Sequence, residues 1–299
     1  MRNLYKYRAF GLNIESCVAI SQISPAEFSQ PDVTIEQADL SRVPEEERRL
    51  TGPGSAFFMV DEGFVFQITN GCRICFDGPE DADRSVLPVY LMGSCMGAVL
   101  IQRGFLLLHG SCVTDGTHAV LITGQSGAGK STTAAEFLKR GWRLVTDDVT
   151  CVYEQDGAFM VRSSYPSQKL WKDTLDRYDR PGKDVHSLYF QGDREKFGVA
   201  VADRFFDGTC RLSLIVRLLP ANHECFLSPI EGMAKVDQLM RNTYRAYFVA
   251  EKDRPRLFQR CVDLSQKTPM ALAVRENGRD CAPVLFEKIT KFLEEHYHD

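Results

Sequence analysis

The sequence has few of the features that mark membrane, secreted or nucleic-acid-binding proteins. No segment approaches about eighteen uninterrupted apolar residues, so no membrane span is expected. The opening stretch MRNLYKYRAFGLNIESC also lacks the apolar core of a signal peptide. Lys and Arg number 36 against 40 Asp and Glu, a formal net charge of -4, and no stretch is strongly basic. We therefore expect neither a membrane nor a nucleic acid as partner.

A second pair of closely spaced cysteines is missing as well. The chain has ten cysteines but one CxxC, from Cys72 to Cys75. Because a structural zinc site would need a second pair, we interpret these two as strand residues. Without evidence of secretion, the other cysteines are expected to be reduced thiols, and the protein to be cytoplasmic.

The chain shows no internal repeat and no low-complexity tract, and its composition is that of an ordinary globular protein. Short apolar runs around Asn70-Gly71 predict two or three strands, because Asn-Gly between such runs is a strong hairpin signal. We predict a small β-rich domain over residues 1–86, for substrate docking or for packing only. Residues 87–299 would form the second domain, beginning with a buried helix over 87–103 and with further helices near 235–250 and 282–299.

A phosphate-binding loop is the strongest motif in the chain. Residues 124–131 read GQSGAGKS and fit GxxxxGK[ST], between an apolar run, HAVLITG, and a helical segment, KSTTAAEFLKRG. In this pattern backbone N–H groups surround phosphate oxygens, the lysine neutralises their charge, and the hydroxyl binds Mg²⁺. The predicted nucleotide-binding residues are Gly124, Gln125, Ser126, Gly127, Ala128, Gly129, Lys130, Ser131 and Thr132.

A pair of aspartates, Asp147 and Asp148, follows the helix. The helix carries the chain roughly 15 Å away from the loop, and a strand over 142–147 returns it by about 17–20 Å. Both carboxylates should therefore lie beside the phosphates. Since neighbouring strand residues point to opposite sides, one carboxylate would take a proton from an incoming hydroxyl and the other would anchor magnesium.

His109 precedes the phosphate-binding loop in the stretch FLLLHGSCVTDGTHAVLITG. A two-residue turn at Asp115-Gly116 would pair Thr114 with Thr117. His109 would then lie opposite Ile122, at the mouth of the loop, where it could hydrogen-bond a phosphate or hold an aspartate. A structural role at the end of an apolar run is the alternative.

Together, His109-Gly110, residues 121–131, Arg140-Gly141, Leu144-Val145 and the aspartate pair resemble the catalytic domain of HPr kinase/phosphorylase. The resemblance covers about residues 100–152. It implies an α/β fold related to phosphoenolpyruvate carboxykinase, with a mixed sheet flanked by helices beside the β-rich N-terminal region. It also implies ATP and Mg²⁺ as cofactors, a serine hydroxyl as acceptor, and a homo-oligomer, since HPr kinases form ring-like hexamers.

The resemblance also implies roles for individual residues. Asp147 would be the base, Asp148 its partner on the magnesium side together with Ser131, and His109 a helper at the phosphate, with Lys130 on the nucleotide. Further cations are available to clamp a phosphate or a substrate carboxylate. Of these we favour Lys196 and Arg245 ahead of Lys169 and Arg194, with surface solvation as the alternative for each.

The chain departs from the bifunctional bacterial enzymes because no second glycine-rich stretch follows the aspartates. The segments YPSQKLWKD and RNTYR instead resemble stand-alone HPr-kinase-like proteins that phosphorylate ribosomally made peptides such as lasso precursors, typically on a C-terminal serine. A peptide serine kinase is therefore the leading hypothesis. The alternatives are a kinase of a small-molecule hydroxyl or of an HPr-like carrier protein, and a non-catalytic ATP-binding regulator or peptide-docking protein.

Overall fold

The fold was analysed in a computed structural model. The structure describes residues 4–49, 51, 54–177, 185–191 and 194–297, and within these ranges it leaves the side chains of 171, 173, 177, 185–191 and 194–196 undescribed. The predicted side-chain roles of Arg194 and Lys196 therefore lie outside the described part of the chain.

A six-stranded sheet forms the N-terminal part. Its strands are β1 (Tyr5–Ala9), β2 (Leu12–Ser16), β3 (Val33–Gln37), β4 (Ser55–Met59), β5 (Val65–Thr69) and β6 (Arg73–Asp77). They lie in the order β1-β2-β3-β6-β5-β4. The hairpin predicted at Asn70-Gly71 is confirmed: Thr69 pairs with Arg73, and Asn70 and Gly71 both have positive φ.

An apolar helical segment follows, made of α1 (Leu87–Tyr90), a π-helical turn (Leu91–Cys95) and α2 (Met96–Gln102). Residues Arg84–Gln102 are long and apolar enough to cross a bilayer, but 67% of their apolar window is buried inside the protein. Leu91 and Val99 share one core with Phe66 of the first sheet and with Leu107, which follows the helix. The predicted helix is confirmed, and the division into domains at residue 86 stays a prediction.

The described residues after this helical segment form eleven more strands. They are β7 (Leu106–Thr114), β8 (His118–Thr123), β9 (Arg143–Thr146), β10 (Val149–Gln155), β11 (Ala158–Arg162), β12 (Ser167–Trp171), β13 (Val185–Gln191), β14 (Arg194–Ala200), β15 (Thr209–Ala221), β16 (Phe226–Pro229) and β17 (Met270–Glu276). Strands β12, β14 and β13 form a small antiparallel sheet. The others form a mixed sheet in the order β11-β10-β7-β8-β15-β17-β16, with β9 paired to β7.

Helices cover both faces of this mixed sheet. Besides short 3-10 turns, the described residues also form the helices α3 (Lys130–Lys139), α4 (Lys172–Arg177), α5 (Met233–Arg241), α6 (Arg254–Lys267) and α7 (Ala282–His296). Along β8, Val120 and Ile122 pack with α3 and α7, whereas Ala119 and Leu121 pack with α5 and α6. This alternation follows from the period of two in a strand. The expected α/β architecture, a mixed sheet flanked by helices, is confirmed.

The hairpin predicted between β7 and β8 has a different register, in which Ile122 lies opposite Ser111 and not opposite His109. Thr114 pairs with Ala119, not Thr117, because the Asp115 carboxylate accepts hydrogen bonds from the backbone N–H groups of Thr117 and His118 and closes a longer loop. Helix α6 was not predicted, since its apolar positions are few and its surface is largely polar. Only three of its residues are buried, and Cys261 and Leu264 carry its contact with the core.

Candidate active site

The phosphate-binding loop connects β8 to α3, as predicted. Gly124, Gly127 and Gly129 all have positive φ, a conformation that side chains with a Cβ rarely adopt. At Gly124 a Cβ atom would lie 2.8 Å from the carbonyl oxygen of Leu218 on β15. The loop leaves the sheet beside the parallel strands β15 and β17, at their carboxyl ends, the edge where ligands bind in open α/β sheets.

Two cations hold the loop in shape. The Lys130 ammonium donates to the carbonyl oxygens of Gly124 at 2.9 Å and Gln125 at 3.1 Å. Arg275, from the end of β17, donates through Nε to the carbonyl of Ala128 at 2.7 Å. A nucleotide phosphate would offer Lys130 stronger acceptors than these neutral carbonyls, because hydrogen bonds between charged groups are stronger.

The aspartate pair lies in a bulge between two strands that run along the same neighbour. Thr146 at the end of β9 pairs with Cys112 of β7, and Val149 at the start of β10 pairs with His109. Asp147 and Asp148 therefore occupy the break opposite the middle of β7. Asp148 has φ of 78°, and this left-handed conformation turns its side chain onto the same cleft as Asp147. The expectation that both carboxylates reach the phosphate-binding loop agrees with this placement.

Asp147 is buried, with 5% of its surface exposed. Its carboxylate accepts hydrogen bonds from the Ser111 hydroxyl, from the Ser131 hydroxyl at 3.3 Å and from the backbone N–H of Lys169 at 2.7 Å. Carboxylate and hydroxyl oxygens are the ligands that Mg²⁺ prefers. Ser131 and Asp147 thus form a donor set that fits a magnesium ion at the nucleotide phosphates.

Asp148 is held by two cationic or polar neighbours. Lys169 Nζ lies 2.7 Å from Oδ2, and His109 Nδ1 lies 3.2 Å from Oδ1. Burial by itself would raise the pKa of Asp148, but the Lys169 ammonium and His109 hold this pKa well below its usual range. For Lys169, burial lowers the pKa, and the Asp148 carboxylate outweighs it, so this pKa lies well above its ordinary value. The pair is therefore ionised at neutral pH.

His109 is held in place through both its backbone and its ring. Its backbone N–H donates to the carbonyl of Asn242, and its ring stacks on Tyr244 with centroids 6.0 Å apart. The next residue, Gly110, has no room for a side chain, since a Cβ atom would lie 2.5 Å from the Ile122 carbonyl oxygen. This close approach brings β7 against β8 and places His109 beside the start of the phosphate-binding loop.

Two clefts meet at these residues. The first, of about 430 Å³, runs along the phosphate-binding loop and is lined by Lys130, Ser131, Asp147 and Lys169 among others; we call it the nucleotide cleft. The second, of about 680 Å³, is lined largely by segments beyond β14; we call it the acceptor cleft. Three residues line both clefts, namely His109, Ser126 and Asp148.

The residues proposed from sequence divide between these clefts. Ser126, Gly127, Gly129, Lys130, Ser131 and Thr132 line the nucleotide cleft, and Ala128 is buried beneath it. Gly124 and Gln125 line the acceptor cleft, together with Arg245. Lys169 pairs with Asp148 and lines the nucleotide cleft.

Sequence reasoning missed several residues of the site. Ser111 could have been found, because it lies two residues after His109 on a strand and so shares its face. Gln168 donates to the backbone carbonyl of Ser131 from the distant strand β12, and Arg275 approaches from β17. No local pattern marks these two, because their proximity depends on how separate strands assemble.

Comparison with known proteins agrees with this geometry. Residues 104–174 match the family model of the HPr serine kinase C-terminal domain. The HPr kinase/phosphorylase of Clostridium beijerinckii is 52% identical over 56 residues, and that of Clostridium perfringens (strain SM101 / Type A) is 54% identical over 56 residues. Each match covers 19% of this chain and 18% of the relative. The segment with the phosphate-binding loop and the aspartates is therefore HPr-kinase-like in sequence.

The matched region spans less than a fifth of the length of these curated relatives. Among solved structures, the Hpr(Ser) kinase/phosphatase from Coxiella burnetii aligns with 63% of this chain and 91% of its own. The sequence identity is 13% and the TM-score is 0.33.

Proposed function

We propose that this protein is an ATP-dependent kinase that transfers the γ-phosphoryl group to a serine hydroxyl of a peptide. The observation that carries the proposal is the position of Asp148, which lines both clefts at their junction. A nucleotide held by the phosphate-binding loop would direct its terminal phosphate to this junction. An acceptor in the other cleft would bring its hydroxyl to the same carboxylate.

In this mechanism the two aspartates have different tasks. Asp148 accepts the proton of the acceptor hydroxyl while the hydroxyl oxygen forms a bond to the γ-phosphorus. The bond from that phosphorus to the β–γ bridging oxygen breaks, and ADP leaves. His109 and Lys169 keep the Asp148 carboxylate oriented and ionised.

Asp147 and Ser131 would hold magnesium, which when bound neutralises charge on the β- and γ-phosphate oxygens. Support comes from the hydroxyl of Ser131, which faces Asp147 and not Asp148. Asp147 also lines the nucleotide cleft without lining the acceptor cleft. The proposal thus exchanges the roles that family resemblance gives to the two aspartates.

For the acceptor we propose a ribosomally synthesised precursor peptide of the lasso type. The two segments that resemble the stand-alone kinases of such peptides both contribute to the clefts. Lys169 and Leu170 line the nucleotide cleft, and residues 241–245 line the acceptor cleft. All ten cysteines are free thiols, which supports a cytoplasmic enzyme.

The test is transfer of label from γ-labelled ATP, with magnesium, to a serine of a precursor peptide encoded near this gene. A metabolite extract is incubated in parallel, because label on a small molecule alone would favour a metabolite kinase. Lys130→Ala and Asp148→Asn serve as inactive controls. If the folded, nucleotide-bound protein labels no serine, the peptide kinase proposal is wrong.

A further inference from the structure

The acceptor cleft carries a concentration of positive charge that the nucleotide does not explain. Arg217, Arg241 and Arg245 all line it, and none of them lines the nucleotide cleft. The nucleotide phosphates already have Lys130 and the phosphate-binding loop. The protein as a whole has a net charge of -4, so a local basic surface would attract anionic ligands to this cleft in spite of the overall negative charge.

Arg245 is held in a fixed position in the cleft. Its guanidinium lies 5.5 Å from the ring centre of Tyr244 and 5.7 Å from that of Tyr247, and it donates to the Tyr247 hydroxyl. The preceding residues run beside β7, where the Tyr244 N–H donates to the carbonyl of Leu107. Arg245 has φ of 49°. Such left-handed backbone strain is typical of residues that clamp a ligand.

Arg217 approaches from the floor of the cleft. It lies on β15 opposite Thr123, the last residue before the phosphate-binding loop. Within the described residues, neither Arg217 nor Arg245 has a carboxylate within ion-pairing distance. Arg241 differs, because it is paired with Asp237 at 2.7 Å and is mostly exposed.

The acidic side of the cleft is already neutralised. Asp148 is the acidic residue among those that line it, and this carboxylate is paired with Lys169 and His109. The guanidinium groups of Arg217 and Arg245 are therefore available to a ligand. Guanidinium binds carboxylate through two parallel hydrogen bonds, which makes arginine the preferred partner for such a group.

We propose that the acceptor cleft binds a peptide whose serine is flanked by a carboxylate, and that Arg217 and Arg245 bind this carboxylate. This inference rests on the proposed kinase function, since it identifies the acceptor of that reaction. The carboxylate belongs either to an acidic side chain next to the serine or to the C-terminus of the peptide.

The experiment measures equilibrium binding of fluorescent serine peptides in the presence of ADP and magnesium. One peptide has aspartates beside the serine, a second has asparagines, and each is made with a free and with an amidated C-terminus. We expect the carboxylate peptides to bind about tenfold to a hundredfold more tightly than the neutral ones. In Arg217→Gln and Arg245→Gln this preference should shrink to a few-fold at most.

Two further variants control for folding. Arg217→Lys keeps the charge and should retain part of the preference. Arg211→Gln removes an exposed arginine from the same strand, outside the cleft, and should leave the preference unchanged. Equal binding of all four peptides by the unaltered protein would overturn the inference, as would failure to bind any of them.

Phosphoryl transfer to the same peptides separates this inference from the kinase proposal. Preferential binding of the carboxylate peptides without phosphoryl transfer would contradict the kinase proposal alone. Phosphoryl transfer without any preference for a carboxylate would contradict the carboxylate-binding inference alone. Loss of transfer in the arginine variants with unchanged peptide affinity would assign the arginines to the phosphoryl group and overturn the inference.

Discussion

At the scale of single residues, the site is organised by what each carboxylate contacts. Asp147 and Asp148 are neighbours in sequence, but one faces hydroxyl and N–H donors and the other faces a lysine and a histidine. Two identical side chains can therefore have different tasks, because the neighbouring groups of each aspartate determine whether its protonated or its ionised form is stabilised.

The roles of the two aspartates can be separated by isosteric substitution. Asp148→Asn should lower kcat about a hundredfold to ten-thousandfold, since it removes the proton acceptor, while the affinity for nucleotide changes little. Asp147→Asn should instead raise the magnesium concentration needed for half-maximal activity. Steady-state kinetics under magnesium titration would measure both. The assignment is wrong if the two variants show the opposite pattern.

Lys169 determines the protonation behaviour of Asp148. Burial raises the pKa of Asp148 and Lys169 lowers it, so Lys169→Met should raise this pKa and move the acidic limb of the pH–rate profile to higher pH. In the unaltered protein the lowered pKa keeps Asp148 ionised down to pH values below its usual range. The stability that this ionised carboxylate contributes is lost only as pH falls through the lowered pKa. Lys169→Arg should restore the profile. An acidic limb in Lys169→Met identical to that of the unaltered protein would refute the coupling.

At the scale of secondary-structure elements, the phosphate-binding loop could be predicted because its signal is local. The loop, its strand and its helix lie within about twenty residues, and the spacing fixed their order in space. The bulge at Asp147-Asp148 could not be predicted, since it depends on β9 and β10 sharing the neighbour β7. The sequence does not predict Arg217, Arg241 and Arg275 as residues of the site for the same reason, because their positions depend on long-range strand pairing and helix packing.

Gly110 tests how closely β7 and β8 must approach. In Gly110→Ala the new methyl group would lie 2.5 Å from the Ile122 carbonyl, and a backbone atom inside a sheet cannot move away cheaply. We expect a loss of about 1–3 kcal/mol in the free energy of unfolding, measured by urea denaturation. Activity should also fall, because His109 and Ser111 on either side of Gly110 would shift. Gly93→Ala is the control, as its methyl group would make an ordinary 3.5 Å contact with Tyr244. Equal stability of the two variants would contradict the steric argument.

At the scale of the whole molecule, the N-terminal sheet and the catalytic region share a hydrophobic core through the helix over 87–102. Leu91 and Met96 of this helix are completely buried, and the same core includes Phe66 and Ile68 of the first sheet and Cys151 of the second. A cut at residue 86 would expose this helix on the side that the sheet now covers. Burial of apolar area on this scale is worth roughly 25 cal/mol per Å², and an apolar patch left open favours aggregation.

We therefore expect the fragment 87–299 to be insoluble or aggregated when produced alone, although it contains every residue that lines the two clefts. Co-expression with the fragment 1–86 should restore a soluble complex, because the N-terminal sheet supplies the apolar side chains that cover this helix. Size-exclusion chromatography and nucleotide binding of the three preparations would measure this. A monomeric, nucleotide-binding fragment 87–299 would contradict the expectation and would show that residues 87–299 fold without the N-terminal sheet.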